Sequence, residues 1–268
     1  MAKAFTVASW NVEHFKADRQ RVERIVQFLS SQSPDVFALY EVEGKEVFES
    51  LVAMMPDYHF HITEGPQTQE ILVGARSTVT AFFTQKLEFK SGNTYLRPGA
   101  LLTVTVGDVY YPVLFLHTKS GSKPIGLGIR DDMFHRALTF RRTLDGASPD
   151  GRANYIFLGD LNTMGMVYPF KKQIGWDIEL KKLDSDAKRR KMRRLTKNKP
   201  ETWWNGTETL PPSNIDHVLA AQHLNFEQSG GADIKVIGWP EKETVQEQRK
   251  WIKEYSDHAL LFFQVERV

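Results

Sequence analysis

The stretch Tyr155-Ile156-Phe157-Leu158-Gly159-Asp160-Leu161-Asn162-Thr163 constrains this chain more than any other. Its apolar run has no alternation, which suits a strand buried on both faces. A glycine ends the run, and a carboxylate and a carboxamide follow two residues apart. Side chains alternate along a strand, so Asp160 and Asn162 point the same way from its end. One of them only accepts hydrogen bonds and the other also donates, an arrangement able to hold a water or a phosphate oxygen. Taken alone, the same residues read equally as an Asp/Asn turn after a strand.

Other segments repeat this design. Phe5-Thr6-Val7-Ala8-Ser9-Trp10 reads as a strand with Asn11-Val12-Glu13-His14 leaving its end, and Val36-Phe37-Ala38-Leu39-Tyr40 as a second that delivers Glu41 to its tip. Between them Val22, Ile25, Val26 and Leu29 fall at i, i+3, i+4 and i+7, the stripe of an amphipathic helix over about 19–31. Asp18 is its N-cap and Pro34-Asp35 ends it. A second helical pattern, Val47, Leu51, Met54 and Met55, stops at Pro56. Strands follow around 58–62, 71–75, 78–84, 100–106 and 110–117, with turns rich in Gly, Pro, Asn and Asp. A helix over 129–144 precedes the central strand, and 215–221, 234–237 and 259–265 form a last sheet segment. Helices interspersed with hairpin-like and crossover strands predict an α+β class, two packed mixed β-sheets with helices outside. No repeat, low-complexity linker or composition break marks a boundary, so residues 1–268 read as a single domain.

Composition excludes several classes. With 41% hydrophobic and 25% charged residues the chain is ordinary for a globular protein, and no apolar run approaches the ~20 residues needed to span a bilayer. Met1-Ala2-Lys3 leads directly into the first strand, leaving no room for a signal peptide. A trimmed chain would look the same, so the compartment stays open: cytoplasmic if the sequence is complete, periplasmic or secreted if a signal was removed. There is no cysteine, so any metal must be held by oxygen or histidine. The net charge is only +2, but residues 181–199 hold ten lysines and arginines against Asp184 and Asp186.

Polar groups at strand ends recur in order: Asn11, Glu41, His117, Asp160 with Asn162, Asp216-His217 and Asp257-His258. If those strands lie together, their ends converge on one pocket of carboxylates, imidazoles and carboxamides. Glu41, Asn11 and Asp257 offer hard oxygen donors suited to Mg²⁺ or Mn²⁺. An aspartate beside a histidine orients the ring and favours its charged form. Each residue singly also reads as a solvated strand end or a structural histidine.

The ordered set resembles the endonuclease/exonuclease/phosphatase superfamily, which includes exonuclease III-like repair nucleases, pancreatic-type deoxyribonucleases, sphingomyelinases and inositol polyphosphate 5-phosphatases. The matching pieces are Ser9-Trp10-Asn11-Val12, Ala38-Leu39-Tyr40-Glu41-Val42, Leu116-His117-Thr118, Gly159-Asp160-Leu161-Asn162, Asn214-Ile215-Asp216-His217 and Ser256-Asp257-His258. They cover essentially the whole chain. The pattern commonly has Gln before the metal-binding Glu, and Tyr40 stands there instead. The resemblance implies a four-layered αββα sandwich with the site at the top of its two sheets. It makes Glu41 the principal ligand of a Mg²⁺ or Mn²⁺ ion, with Asn11 and Asp257 assisting. Asp160 would orient or deprotonate the attacking water, and Asn162 would fix the water or a phosphate oxygen. His258, supported by Asp216, would hydrogen-bond the scissile phosphate, and His117 would assist the leaving group.

Fold and site do not select a substrate. Two features lean towards nucleic acid. The basic stretch, with Lys188, Arg189 and Arg190 at its centre, is inserted between the Asp160 and Asp216 strands and is expected at the site's rim, where a polyanion is attracted. Trp203-Trp204 follows it and is expected to stack on bases. Arg97-Pro98 resembles a phosphate-contacting element of the deoxyribonuclease branch. The opposing readings are a solvated helix face, core tryptophans and a surface arginine. The expected activity is metal-dependent hydrolysis of DNA, or RNA, without base specificity. No membrane or protein partner is implied, and the chain is expected to act as a monomer. The alternative is a sphingomyelinase-like lipid phosphodiesterase or a phosphatase on a small phosphate ester. A binding module that lost its chemistry is disfavoured because all six site motifs are intact.

Overall fold

Successive residues of the second sheet's central strands belong to two different cores, and this division sets the architecture. The computed structural model describes residues 2–15, 18–65, 69–170 and 172–268. In it the first sheet has the order β11-β12-β1-β2-β4-β3. Its strands are β1 (Lys3–Phe15), β2 (Val36–Val42), β3 (Tyr58–Ile62), β4 (Glu70–Arg76), β11 (Lys235–Ile237) and β12 (Leu260–Glu266). The second sheet has the order β5-β6-β7-β8-β10-β9. It is built from β5 (Thr80–Lys86), β6 (Gly99–Val106), β7 (Val109–His117), β8 (Ile156–Asp160), β9 (Met192–Arg194) and β10 (Asp216–Ala221).

Leu102, Phe115, Leu158 and Val218 of the second sheet share one core with Val7, Ala38 and Leu261 of the first, so the sheets pack face to face. Leu101, Leu114, Phe157 and Leu219, one residue away in each strand, join a separate core with α3 (Pro124–Ala147) and α4 (Trp176–Arg189). On the far side α1 (Arg19–Gln32) and α2 (Lys45–Met54) cover the first sheet, and α5 (Val245–Glu254) adds Trp251 against Trp10. The result is the four-layered αββα sandwich. Strands covered on both faces carry apolar residues at every position, which is why their sequences do not alternate.

The stripe Val22, Ile25, Val26 and Leu29 is buried as its spacing requires, and the Asp18 side chain accepts from the Arg21 N–H at 3.1 Å to cap α1. Burying each such side chain is worth about 1.5–3 kcal/mol. Two helices go beyond the sequence expectations. α5 buries only Trp251, and its start is marked instead by a Thr244/Glu247 capping box. α4 occupies the first part of the basic stretch and runs up to it from Trp176. β1 also extends past Trp10, because after Asn11 pairs with Tyr40 a bulge lets Phe15 pair with Val42.

Each sheet contains one parallel pair, β1 with β2 and β7 with β8. The carboxyl ends of both pairs, where a crossover topology leaves a crevice, face the same end of the seam.

Candidate active site

The register brings three polar side chains into a row across the second sheet: His117 lies opposite Asp160, and Asp160 opposite Asp216. By strand parity all three share the face of Phe115, Leu158 and Val218, the seam between the sheets. The first sheet supplies Asn11, whose Nδ2 donates to Asp160 Oδ2 at 3.0 Å and Glu41 Oε1 at 3.2 Å. His117 Nε2 lies 3.5 Å from Asp160 Oδ2 and 3.7 Å from Glu41 Oε1. His258 Nδ1 is held by both Asp216 oxygens, at 3.0 and 3.2 Å. That contact turns Nε2 towards Asp160 Oδ2 and Asp257 Oδ1, at 3.8 and 3.9 Å.

Backbone strain aims several of these groups. Tyr40 already occupies the seam side of β2, its hydroxyl 3.0 Å from that of Ser9. Simple alternation would therefore turn Glu41 away. It reaches the site because its φ is +62° at a bulge between Leu39 and Val42, a left-handed conformation that costs a non-glycine residue about 1–3 kcal/mol. Glu13, His14 and Asn162 are also left-handed. The His14 N–H donates to Glu41 Oε2 at 3.1 Å, the Glu13 N–H to Asn11 Oδ1 at 3.0 Å, and the Asn162 N–H to Asp160 Oδ1 at 3.1 Å. Gly159, at φ +141°, admits no side chain: a Cβ there would lie 2.0 Å from the Leu116 carbonyl oxygen.

Burial pushes the Asp160 carboxyl up, the charge of His258 opposes this, and Asp216 and Glu41 push it up again, to about 7. Burial alone would lower His258, but Asp216, Asp160 and Asp257 more than reverse that and hold it at about 10. Burial and the charge of Arg97 hold His117 well below the usual imidazole range, so it is neutral. Burial raises Asp257.

Asp216, Asp160 and Asp257 thus surround the His258 imidazolium with Glu41 beside Asp160, and the excess negative charge favours a cation. Ligand atoms of Glu41, His117 and Asp160 lie within 4.8 Å of one another, yet their imidazole–carboxylate separations exceed hydrogen-bond length. Asp257 Oδ1 and His117 Nδ1 are buried without a hydrogen-bond partner among the described residues. Oxygen donors with one imidazole fit Mg²⁺ or Mn²⁺. Asn11 presents its NH₂ to the carboxylates while its oxygen is taken by Glu13, so in this arrangement it aligns them as a donor and does not offer an oxygen ligand.

Of the other expected site residues, Arg97 and Trp203 border the site and the rest lie away from it. Arg97 is tied to Gln69 through its backbone carbonyl at 2.8 Å and through its side chain, and its charge acts on Glu41 and Asp160. Trp203 is half-buried and donates to Asp257 Oδ2 at 2.6 Å, while Trp204 is buried against Trp239 and offers no open stacking surface. Lys188, Arg189 and Arg190 are not at the rim. They end α4 beside β9, and the register sets Met192 opposite Ala221, five residues along β10 from Asp216, or about 16 Å at 3.3 Å per residue. His217 faces away from the seam, 2.9 Å from Thr163 Oγ1 and 3.1 Å from the Asn214 carbonyl.

Supporting groups without a role in the sequence reading also emerge. Trp10 Nε1 donates to the His258 carbonyl at 2.9 Å. Ser256 Oγ donates to the Asn11 carbonyl at 2.7 Å and accepts from the His258 N–H at 3.1 Å. Lys197 donates to the Asp216 carbonyl at 2.7 Å and to the Asn214 side chain. Both Trp10 and Ser256 sit inside recognisable segments, but only the fold shows what they touch.

An αββα sandwich with acids and imidazoles gathered at the seam of its sheets defines a class of phosphoesterases. Residues 8–258 match the sequence profile of the Endonuclease/Exonuclease/phosphatase family, and the chain belongs to it. Members of this family are generally metal-dependent hydrolases of phosphodiesters or phosphate esters. Truncated TDP2 from Caenorhabditis elegans shares the fold with a TM-score of 0.68 at 14% identity, over 98% of this chain and 97% of that one. TDP2 from D. rerio, complexed with single strand DNA product, gives 0.68 at 15% identity over 98% and 99%. The endonuclease/exonuclease/phosphatase from Bacteroides vulgatus gives 0.62 at 12% identity over 98% and 99%. At these identities the likeness is one of fold. No curated protein sequence matches the chain. Among the described residues no helix is long and apolar enough to cross a membrane.

Proposed function

We propose that the chain is a single catalytic domain that hydrolyses DNA phosphodiesters, with Mg²⁺ or Mn²⁺, and without reading base sequence. The observation that carries this reading is the convergence of Glu41 and His258 on Asp160, the first linked to Oδ2 through Asn11 and the second approaching the same oxygen with Nε2 at 3.8 Å. DNA is favoured as substrate because the D. rerio TDP2 structure of the same fold holds a single strand DNA product.

A phosphodiester is a stable anion, so attack by water needs charge neutralisation, an in-line nucleophile and a stabilised leaving oxygen. A cation held by Glu41 and Asp257 supplies the first and the last of these when bound. Asp160, with its carboxyl near neutral, accepts a proton from the attacking water at Oδ1 or Oδ2. Asn162, fixed by donation to the Thr118 carbonyl at 3.2 Å, leaves its amide oxygen for the water or a phosphate oxygen. His258 keeps its proton on Nε2 because Nδ1–H is bound to Asp216, and it donates to the phosphate as negative charge develops. Neutral His117, beside Glu41, is assigned to assist the leaving oxygen.

The test is incubation with plasmid, linear duplex and single-stranded DNA, with Mg²⁺, Mn²⁺ or EDTA, beside sphingomyelin and phosphoinositide assays. Metal-dependent loss of DNA is expected. Turnover confined to the lipid esters would overturn the assignment.

A further inference from the structure

A second surface stands beside the seam. Two residues past Asn162 the chain enters a hairpin closed by Met166 N–H to the Ile174 carbonyl at 2.7 Å and Ile174 N–H to the Met166 carbonyl at 2.9 Å. Its outer part exposes Val167, Tyr168 and Phe170, the last at 80%, and Trp176 is exposed at its base. Tyr168 and Phe170 meet edge to face at 5.8 Å.

The surface is anchored by Arg130, which is fully buried. Its guanidinium donates to Glu179 at 2.7 and 3.0 Å, to the Lys119 and Gly121 carbonyls at 3.1 and 2.8 Å, and to the Gly165 carbonyl at 2.8 Å. Glu179 also accepts from the Gly165 N–H at 2.7 Å, and the Val167 N–H donates to the Ser122 carbonyl at 2.7 Å. A buried ion pair is costly to form. Here it locks the loop after β7 to the base of the hairpin after β8, so the backbone that carries the rings is held in place before anything binds, which lowers the ordering cost of binding.

Charge completes the picture. Residues 118–130 and 161–176 contain no aspartate or glutamate. Among the described residues no carboxylate pairs with Lys119, Lys123 or Lys172 in these loops. Aromatic faces interleaved with unpaired lysines form the kind of surface that takes unpaired bases and their phosphates.

We propose that Tyr168 and Phe170 of this hairpin, with Lys119, Lys123 and Lys172, form a stacking platform for unpaired nucleobases, making single strands or frayed ends the preferred substrate. This rests on the nuclease reading and narrows it. A flexible strand lowers one phosphate into the buried seam while its neighbouring bases lie on the hairpin. A rigid duplex keeps its bases stacked within itself and gains nothing from the rings.

The experiment compares the native chain with Tyr168→Ala/Phe170→Ala. Binding to a labelled single-stranded oligonucleotide and to the same sequence as blunt duplex is measured in EDTA, and cleavage of both with Mg²⁺. Anionic phosphatidylserine vesicles provide a further binding arm, and bis(p-nitrophenyl) phosphate, too small to reach the hairpin, reports the site. Loss of a stacked base is expected to weaken single-strand binding by about five- to a hundredfold, with duplex binding and small-diester turnover little changed. Equal single-strand binding and cleavage by both proteins would overturn the platform, as would vesicle binding that the substitution abolishes while single-strand binding is unaffected. If the native chain turns over the small diester but binds and cuts no DNA, the nuclease reading fails and the platform with it. If DNA is cut equally by both, only the platform fails.

Discussion

Two regions of this molecule are rich in positive charge, and they are built in opposite ways. In residues 181–199, five of the ten basic side chains are in ion pairs: Lys181 with Asp177, Lys182 with Asp131 and Asp186, Arg189 with Asp186, Arg193 with Asp233, and Arg194 with Asp184. Among the described residues Lys119, Lys123 and Lys172 have no such partners, and a buried Arg130–Glu179 pair holds the two segments together. The first region is the denser run in the sequence. The second, sparser in sequence, leaves a larger share of its charge unpaired and carries it next to the catalytic seam. Charge counted along a chain is therefore a poor guide to the field it makes, because partners come from other elements.

The comparison can be broken at several levels. The largest effect is expected from neither surface but from the seam beside the second. His258→Ala or Asp160→Ala should lower hydrolysis of both DNA and bis(p-nitrophenyl) phosphate by about 10²–10³-fold or more, with melting still cooperative. Near-native turnover by either folded variant would remove the seam's claim to the chemistry.

Next in size is the difference between the two kinds of ion pair. Arg130→Ala strands the buried Glu179 carboxylate and should cost about 3–5 kcal/mol in urea unfolding. Arg194→Ala, which breaks a partly exposed pair, should cost about 0–1 kcal/mol. Similar losses for both would mean the hub is no more than another surface contact.

A smaller contrast concerns salt. Neutralising Lys119, Lys123 and Lys172 together should flatten the dependence of single-strand binding on salt by about 2 in log–log slope, at about 0.7 per phosphate contact. Neutralising Lys188, Arg189 and Arg190 should change it by less than about 1. The reverse order, read by fluorescence anisotropy between low and moderate salt, would return the substrate track to α4.

The smallest effect is one of pH. His258 must keep its proton to donate to phosphate, so activity should fall as pH rises through about 10. Asp216→Asn removes the strongest of the carboxylate charges that raise this pKa, so the alkaline limb should move to lower pH. A limb that stays in place in the pH–rate profile would show that His258 is not the group being titrated.

Much of this was legible in the residues. The stripe of α1 and the apolar runs of β1, β2, β7, β8 and β10 follow from burial, which imposes a period of 3.6 or removes alternation altogether. The polar residues at those strand ends could be named in order. α5 escaped because its apolar face, Trp251 with Ile252 and the C-cap Tyr255, is confined to its last turn, too short a run to show a period by itself. Trp203 and Trp204 were placed on the surface by their position after a basic run, whereas one supports Asp257 and the other lies against Trp239.

The sequence by itself determined which segments are buried strands and which side chains wait at their ends, because local periodicity and residue type report burial directly. Only the tertiary structure decided that Glu41 turns into the seam through a left-handed bulge, and that Gly159 must lack a side chain because the Leu116 carbonyl occupies its place. It also decided which cations are neutralised and which rings stay open. Those outcomes depend on atoms brought together from positions tens to hundreds of residues apart, and no local pattern records such contacts.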